Sequence, residues 1–411
     1  MQFKELKLNK PIIRALFEKN YEEPTLVQER AIPAILAKKD IIVSAQTGTG
    51  KTAAFALPIL QLLFDKQDAP KKGKKIRALV ICPTRELAIQ IEENFEMYSK
   101  YTNLRTGVIF GGASIQPQKE MLKKGVDILV ATPGRLLDLH KQDIVNLDYI
   151  ETLVLDEADL MLDMGFIDDV KKIERLCPDG KQILLFSATM PYKVEQLANS
   201  ILRDPEFVEV SPTSSAAKGV DQTLYYVPKP KKIELCLHLL RNNIKGSTII
   251  FRRTKYGVDK LEETLLRNNY KVVSIHGGIA QSLRQTALNE FKKGEARILI
   301  ATDVAARGID IKNVDAIINF DIPNISETYV HRIGRTARAG ASGIALSFCS
   351  ADEKEYIKDI QQLIITTIHV EEEHPYPLDP KAKAPVHKKQ GSKHKKGRKS
   401  EASKKKKKRW Y

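Results

Sequence analysis

A chain of 411 residues, 42% hydrophobic and 29% charged, is long enough for two or three domains that each bury a core. No apolar run approaches membrane-spanning length, residues 1–7 carry charges where a secretion signal needs an apolar stretch, and Cys82, Cys177, Cys236 and Cys349 are scattered without a C-x-x-C pair. Membrane, disulfide-framework and zinc-site classes are disfavoured, and a cytoplasmic protein is expected. The net charge of +16 points to a polyanionic partner, but fifteen Lys or Arg from Lys381 onward face Glu401 alone, so nearly all of the excess sits in the C-terminal tail.

In chain order, residues 1–208 alternate short β-branched runs with helical patterns, the signature of a parallel sheet with crossover helices. Strands are expected at 40–45, 78–82, 106–110, 127–131, 152–155, 182–186 and 207–210. Residues 211–219 are small, polar and breaker-rich, so a linker is placed at 209–220. A second α/β series follows over 221–370, with strands expected at 223–227, 247–251, 271–275, 297–301, 316–320 and 343–349. From 371 to 411 the periodicity stops in favour of Glu371-Glu372-Glu373, prolines and then lysines, a composition expected to be disordered.

Chemistry enters at two strand ends. After the first strand comes Ala45-Gln46-Thr47-Gly48-Thr49-Gly50-Lys51-Thr52, followed by a helical run, the context of a phosphate-binding loop. Gly48 and Gly50 let backbone N–H groups approach phosphate oxygens, Lys51 reaches the β and γ phosphates, and the Thr52 hydroxyl can ligate Mg²⁺. Ala45 stands where the usual loop has its first glycine. The strand at 152–155 runs into Asp156-Glu157-Ala158-Asp159. Alone this is an acidic turn, but beside the loop it assigns Asp156 to the metal with Thr52, and Glu157 to a proton of attacking water.

Together these segments resemble the DEAD-box family of ATP-dependent RNA helicases, in which alanine at the first loop position is usual. The match runs in order from Phe3 to about Gly340 and lies nearest the bacterial RhlE-like subgroup. It implies two tandem RecA-like domains, each a parallel sheet flanked by helices, with ATP and Mg²⁺ as cofactors and RNA as partner. In Tyr21-Glu22-Glu23-Pro24-Thr25-Leu26-Val27-Gln28 it implies an adenine-recognition motif, with Tyr21, Thr25 and Gln28 at the nucleotide and Phe3 stacked on the base. Asn20 replaces the glycine common before that tyrosine.

By themselves Pro83-Thr84-Arg85, Gly111-Gly112 and Thr132-Pro133-Gly134-Arg135 are ordinary turns or caps. The resemblance makes them backbone contacts to RNA, joined in the second domain by Arg252, Thr254, Gln281, Arg284 and Thr302. It implies that Ser187 and Thr189 bond near Asp159 and couple ATP state to RNA binding. Asp303 is expected at the ribose, with Gly308 and Asp310 nearby, and Arg335 and Arg338 at the γ-phosphate beside His331; Ala337 stands where glycine is commoner.

The expected activity is RNA-stimulated hydrolysis of ATP coupled to local duplex separation or ribonucleoprotein remodelling, in ribosome assembly or RNA turnover, by a monomer whose basic tail is a second RNA anchor. Three other classes stand beside it: an ATP-gated RNA clamp or annealing scaffold, a DNA translocase on the same engine, and, disfavoured, a small-molecule kinase.

Overall fold

The computed structural model describes residues 1–46, 48–65, 75–210, 219–306, 311, 314–336 and 343–379. Thr47, Gly308, Asp310, Arg338, most of the expected linker and the lysine-rich part of the tail lie outside them.

The first domain opens with a 3-10 turn, Phe3–Leu6, and proceeds α1 (Lys10–Phe17), α2 (Leu26–Leu36), β1 (Ile41–Ser44), α3 (Lys51–Phe64), β2 (Ala78–Ile81), α4 (Arg85–Tyr98), β3 (Thr106–Ile109), α5 (Ile115–Lys124), β4 (Ile128–Ala131), α6 (Pro133–Lys141), β5 (Thr152–Leu155), α7 (Ala158–Asp163), α8 (Ile167–Leu176), β6 (Gln182–Ser187), α9 (Tyr192–Ile201) and β7 (Glu206–Glu209). These strands form a seven-stranded sheet in the order β3-β4-β2-β5-β6-β1-β7, parallel throughout. Helices cover both faces. Ile41, Val43, Val80 and Val154 join one apolar core, and Ile42, Leu79, Ile81, Leu153 and Leu155 join the other. A strand buried on both faces reads as a continuous apolar run instead of an alternating one, which is why β1, β2 and β5 were legible as short hydrophobic blocks.

The second domain repeats the plan: β8 (Val220–Tyr226), α10 (Lys232–Asn242), β9 (Thr248–Arg252), α11 (Lys255–Arg267), β10 (Val272–Ile275), α12 (Gln281–Lys292), β11 (Ile298–Thr302), α13 (Asp303–Ala306), β12 (Ala316–Asn319), α14 (Ser326–Ile333), β13 (Gly343–Cys349), α15 (Lys354–Ile364) and β14 (His369–Val370). Its order is β10-β11-β9-β12-β13-β8-β14, again parallel. In both sheets the loops at the C-terminal strand ends carry the motif residues, the edge at which open α/β sheets bind ligands.

Two boundaries differ from expectation. Glu209 and Val220 are strand residues, and Val210 N donates to Ser44 O just past the end of β7, so order reaches into the expected linker from both sides. The expectation that structure ends at residue 370 is corrected. Glu371 N donates to Leu224 O, Leu378 N donates to Tyr226 O, His374 meets the Tyr225 ring edge-on at 5.5 Å, and Tyr376 packs on the core. Polar composition hid this strap because its few aromatic side chains are spaced to fit the edge of β8 instead of repeating periodically.

Candidate nucleotide and RNA site

The glycine loop leaves β1 and enters α3, whose first residues are Lys51 and Thr52. Gly50, the N-cap, has φ +96°, and a Cβ there would lie 2.4 Å from Gln28 Nε2, so only glycine fits between the loop and α2. Gln28 is held by its own amide: Oε1 accepts from Thr25 N at 3.0 Å and Nε2 donates to Gly50 O at 3.1 Å. The cap at the start of α2 thus also touches the loop.

Opposite, β5 delivers Asp156 and Glu157. Glu157 has φ +54°, a left-handed conformation unusual for a residue with a side chain, and it caps α7. The turn is supported by Glu157 N donating to Asp156 Oδ1 at 3.0 Å. Lys51 Nζ lies 3.0 Å from Glu157 Oε1, both buried. Burial raises the Asp156 carboxyl against the pull of Lys51, with the charges of Glu157 and Asp159 adding to the rise. Burial would raise Glu157 too, but Lys51, His331 and Arg335 outweigh it and hold it below the ordinary value. Burial works against the Lys51 charge, but the surrounding carboxylates raise its pKa above the usual value. Among the described residues this corner holds three buried acids against one lysine of its own domain. A hard cation flanked by water and phosphate oxygens suits such a donor set, since Mg²⁺ needs only one or two protein oxygens.

Asp159 is the junction. Its N–H donates to Ser187 Oγ at 3.1 Å, and its Oδ2 accepts from both Thr189 N and Thr189 Oγ1 at 2.9 Å. His331 Nε2 of the second domain stands 3.9 Å from the same Oδ2. The cavity here, about 590 Å³, is lined by Phe3, Tyr21, Thr25, Gln28, Gly48, Gly50, Lys51, Thr52, Asp156 and Glu157 from the first domain and by His331 and Arg335 from the second. Its wall continues along α4 through Gln90, Glu93 and Asn94 to Lys292 of α12. Gln46 and Thr49 shape the loop, Thr49 Oγ1 donating to Gln46 O, and Ala45 is buried behind it. Asp303 lies apart from this lining: both its oxygens take the Arg332 guanidinium, at 2.6 and 2.8 Å.

The expected RNA contacts gather on the strand-end loops. Thr84 and Thr254 cap α4 and α11, accepting from Leu87 N and Gly257 N. Gly112, at φ +72°, has Arg85 lying where a Cβ would be, 2.1 Å from the nearest guanidinium nitrogen, so the guanidinium lies against Gly112 while Gly111 stays open. Pro133 opens α6, Gly111 N donates to Thr132 Oγ1, and Arg135 NH2 reaches Ala113 O. Across the boundary, Gln281 Nε2 donates to Glu86 Oε1 at 2.8 Å, Arg284 NH2 lies 3.0 Å from the same oxygen, and Arg85 reaches Gln281 at 3.5 Å. Thr302 ends β11 in register with Arg252. Arg252 is turned inward, its guanidinium carbon 4.1 Å from the centre of the Phe320 ring and its Nε donating to Asp321 Oδ2 at 2.9 Å.

Sequence reasoning passed over Glu86, Arg332 and Asp321. The first two directly follow Arg85 and His331, but their partners are distant in sequence, so no local signal marked them.

The description DEAD/DEAH box helicase matches residues 25–197, and helicase conserved C-terminal domain matches residues 231–340. The chain is 43% identical over 363 residues to the ATP-dependent RNA helicase CshA of Limosilactobacillus reuteri, covering 88% of this chain and 72% of that protein. It is 40% identical over 372 residues to the ATP-dependent RNA helicase RhlB of Pasteurella multocida, covering 90% and 88%. The solved structure of S. cerevisiae Dbp5 bound to RNA and ADP BeF3 is similar with a TM-score of 0.79 at 30% identity, covering 90% of this chain and 95% of that one. The matched regions contain β1 to β6 of the first sheet and β9 to β12 of the second, and the chain belongs to the DEAD-box family of ATP-dependent RNA helicases.

Proposed function

We propose that this helicase couples RNA-stimulated ATP hydrolysis to local, non-processive separation of short RNA duplexes or remodelling of ribonucleoproteins. The observation that carries this reading is the shared lining of the cavity: Lys51, Asp156 and Glu157 from one domain face His331 and Arg335 from the other. In this reading the glycine loop and Lys51 hold the phosphates, Gln28 and Phe3 select adenine, and Thr52 and Asp156 hold Mg²⁺, which would neutralise phosphate charge. Glu157 takes the proton of the attacking water. Arg335, with Arg338, stabilises the leaving charge, a contribution worth on the order of 10³ to 10⁵ in rate when supplied across a boundary. Activity then requires closure, and RNA bridging the strand-end loops of both domains favours the closed state because its contacts exist together only there.

Contacts of this type go to phosphate and 2′-hydroxyl groups, so sequence preference is weak and RNA is preferred to DNA. The lysine-rich tail adds a second, salt-sensitive anchor, consistent with work on ribosomal precursors or RNA turnover in the cytoplasm by a monomer. Among the described residues no helix is long and apolar enough to cross a membrane.

Glu157→Gln tests the reading. It removes the proton acceptor at nearly constant shape, so RNA-stimulated phosphate release should vanish while ATP and RNA still bind. Survival of duplex separation through repeated rounds would overturn the assignment, and survival of annealing or assembly alone would favour an ATP-gated clamp. Stimulation by duplex DNA equal to that by RNA would favour a DNA translocase.

A further inference from the structure

Lys232 opens α10 and is only 2% exposed, an unusual place for an ammonium group. Its Nζ lies 2.5 Å from Glu353 Oε2 and donates to Phe320 O at 2.9 Å. Glu353, in the 3-10 turn Ala351–Glu353, is 3% exposed and further accepts from Ser350 N at 3.1 Å, Ser350 Oγ at 2.7 Å and Ile322 N at 3.3 Å. Its Oε1 also receives the NH2 of Arg253 at 3.0 Å, and that same nitrogen donates to Ile322 O at 2.8 Å. Arg253 follows β9 at the C-terminal sheet edge, and its side chain is 44% exposed.

The chain of bonds continues. Arg253 N and Arg252 Nε both donate to Asp321 Oδ2 at 2.9 Å. Asp321 O accepts from Arg332 NH1 at 2.8 Å, and Arg332 clamps Asp303. Arg332 sits on α14 between His331 and the turn that bears Arg335.

Burying an ion pair costs desolvation that its attraction recovers only with good geometry and full hydrogen bonding, so two apolar side chains would hold α10 to this turn as well. What apolar residues could not do is hold a guanidinium. Arg253 is a long side chain with much rotamer freedom to lose, and Glu353 with Ile322 O fixes one end of its fork while leaving the rest at the strand edge. Arg252, the neighbour expected to contact RNA, is spent on Asp321 and Phe320.

We propose that Lys232 and Glu353 are positioning residues for RNA: they preset Arg253 to meet a phosphate at the end of β9, and through Asp321 and Arg332 tie that contact to Asp303 and α14. The inference rests on the RNA-dependent reading above. It assigns Arg253, instead of Arg252, as the phosphate contact of this loop, and gives a role to two residues outside the motif segments.

The test is a double-mutant cycle on full-length protein, reading KM for single-stranded RNA and kcat of RNA-stimulated phosphate release. Arg253→Met should raise the RNA KM on the order of tenfold, the value of a charge-assisted hydrogen bond. It should also lower the salt slope of RNA affinity by about 0.7, one phosphate on a single strand. Glu353→Gln should raise the KM in the same direction with kcat at saturating RNA nearly unchanged, and should add less than about twofold in the Arg253→Met background, since residues acting through one contact do not add. Equal effects of Glu353→Gln in both backgrounds, or an Arg253→Met protein with unchanged KM and slope, would overturn the inference. If Glu353→Gln fails to fold, Ser350→Ala, which removes one hydroxyl donor to Glu353 and leaves every charge, completes the same cycle. A wild-type protein that RNA does not stimulate would sink the functional reading itself, a result distinct from both.

Discussion

Glu86 of the first domain and Arg284 of the second meet at 3.0 Å, both buried, with Gln281 donating to the same carboxylate oxygen at 2.8 Å. Burial presses the Arg284 pKa down, and the Glu86 charge opposes that fall. Removing one partner of a buried pair leaves the other uncompensated, at about 3 kcal/mol, but only where the pair exists, in the closed arrangement. Glu86→Gln should therefore weaken cooperativity between ATP and RNA binding on the order of 100-fold, because 1.4 kcal/mol is about a factor of ten. Titrating RNA with and without a non-hydrolysable ATP analogue checks this. A variant whose RNA affinity responds to nucleotide as strongly as wild type contradicts it.

Arg335 lines the nucleotide cavity from the second domain and helps hold Glu157 ionised. Arg335→Ala should lower kcat of RNA-stimulated hydrolysis by on the order of 10³, the scale of an arginine supplied to the transition state. Nucleotide affinity without RNA should change little, since the loop, Lys51 and Gln28 belong to the first domain. Single-turnover phosphate release and a fluorescent nucleotide titration separate the two quantities.

Glu92 on α4 has its carboxyl raised to about 7, by burial first and then by the charges of Glu96 and Glu93. A carboxyl whose folded pKa exceeds its unfolded value favours the fold while protonated, and that contribution fades as pH rises from the ordinary carboxylate range through about 7. Glu92→Gln should leave the melting temperature unchanged near pH 4.5 and raise it by a few degrees at pH 8. Thermal unfolding at the two pH values checks the sign. Equal shifts at both would mean that charge at Glu92 is irrelevant.

The strap after β14 separates two truncations that composition would treat alike. Ending the chain after residue 379 removes the lysine tract and should lower RNA affinity and its salt slope without moving the melting temperature. Ending it after residue 370 also removes the Leu378 to Tyr226 bond, the His374 contact with Tyr225 and the packing of Tyr376, and should lower the melting temperature by several degrees. Calorimetry and RNA titration of both truncations distinguish the roles. Equal RNA affinity and salt slope in full-length and 379-residue proteins would end the anchor reading of the tail.

What the sequence by itself determined was whatever is local. Strands buried on both faces are apolar runs whatever surrounds them, so β1, β2, β5 and β6 and their alternation with helices were readable. The glycine loop was readable because strand, Gly48, Gly50, Lys51 and helix are contiguous. The bond from Asp159 to Thr189 followed from the family resemblance, and the structure brings the two together. Tertiary structure decided the pairings between distant segments. Glu86 finds Gln281 and Arg284 across nearly two hundred residues, Lys232 finds Glu353, and Arg252 turns toward Asp321 while Arg253 stays half exposed. The left-handed turn at Glu157 belongs here too, since nothing in Asp156-Glu157-Ala158-Asp159 announces a positive φ. Local propensity ranks what each residue can do over a few neighbours; which of two adjacent arginines is spent on the fold and which is left for a ligand depends on the charges that folding brings beside them.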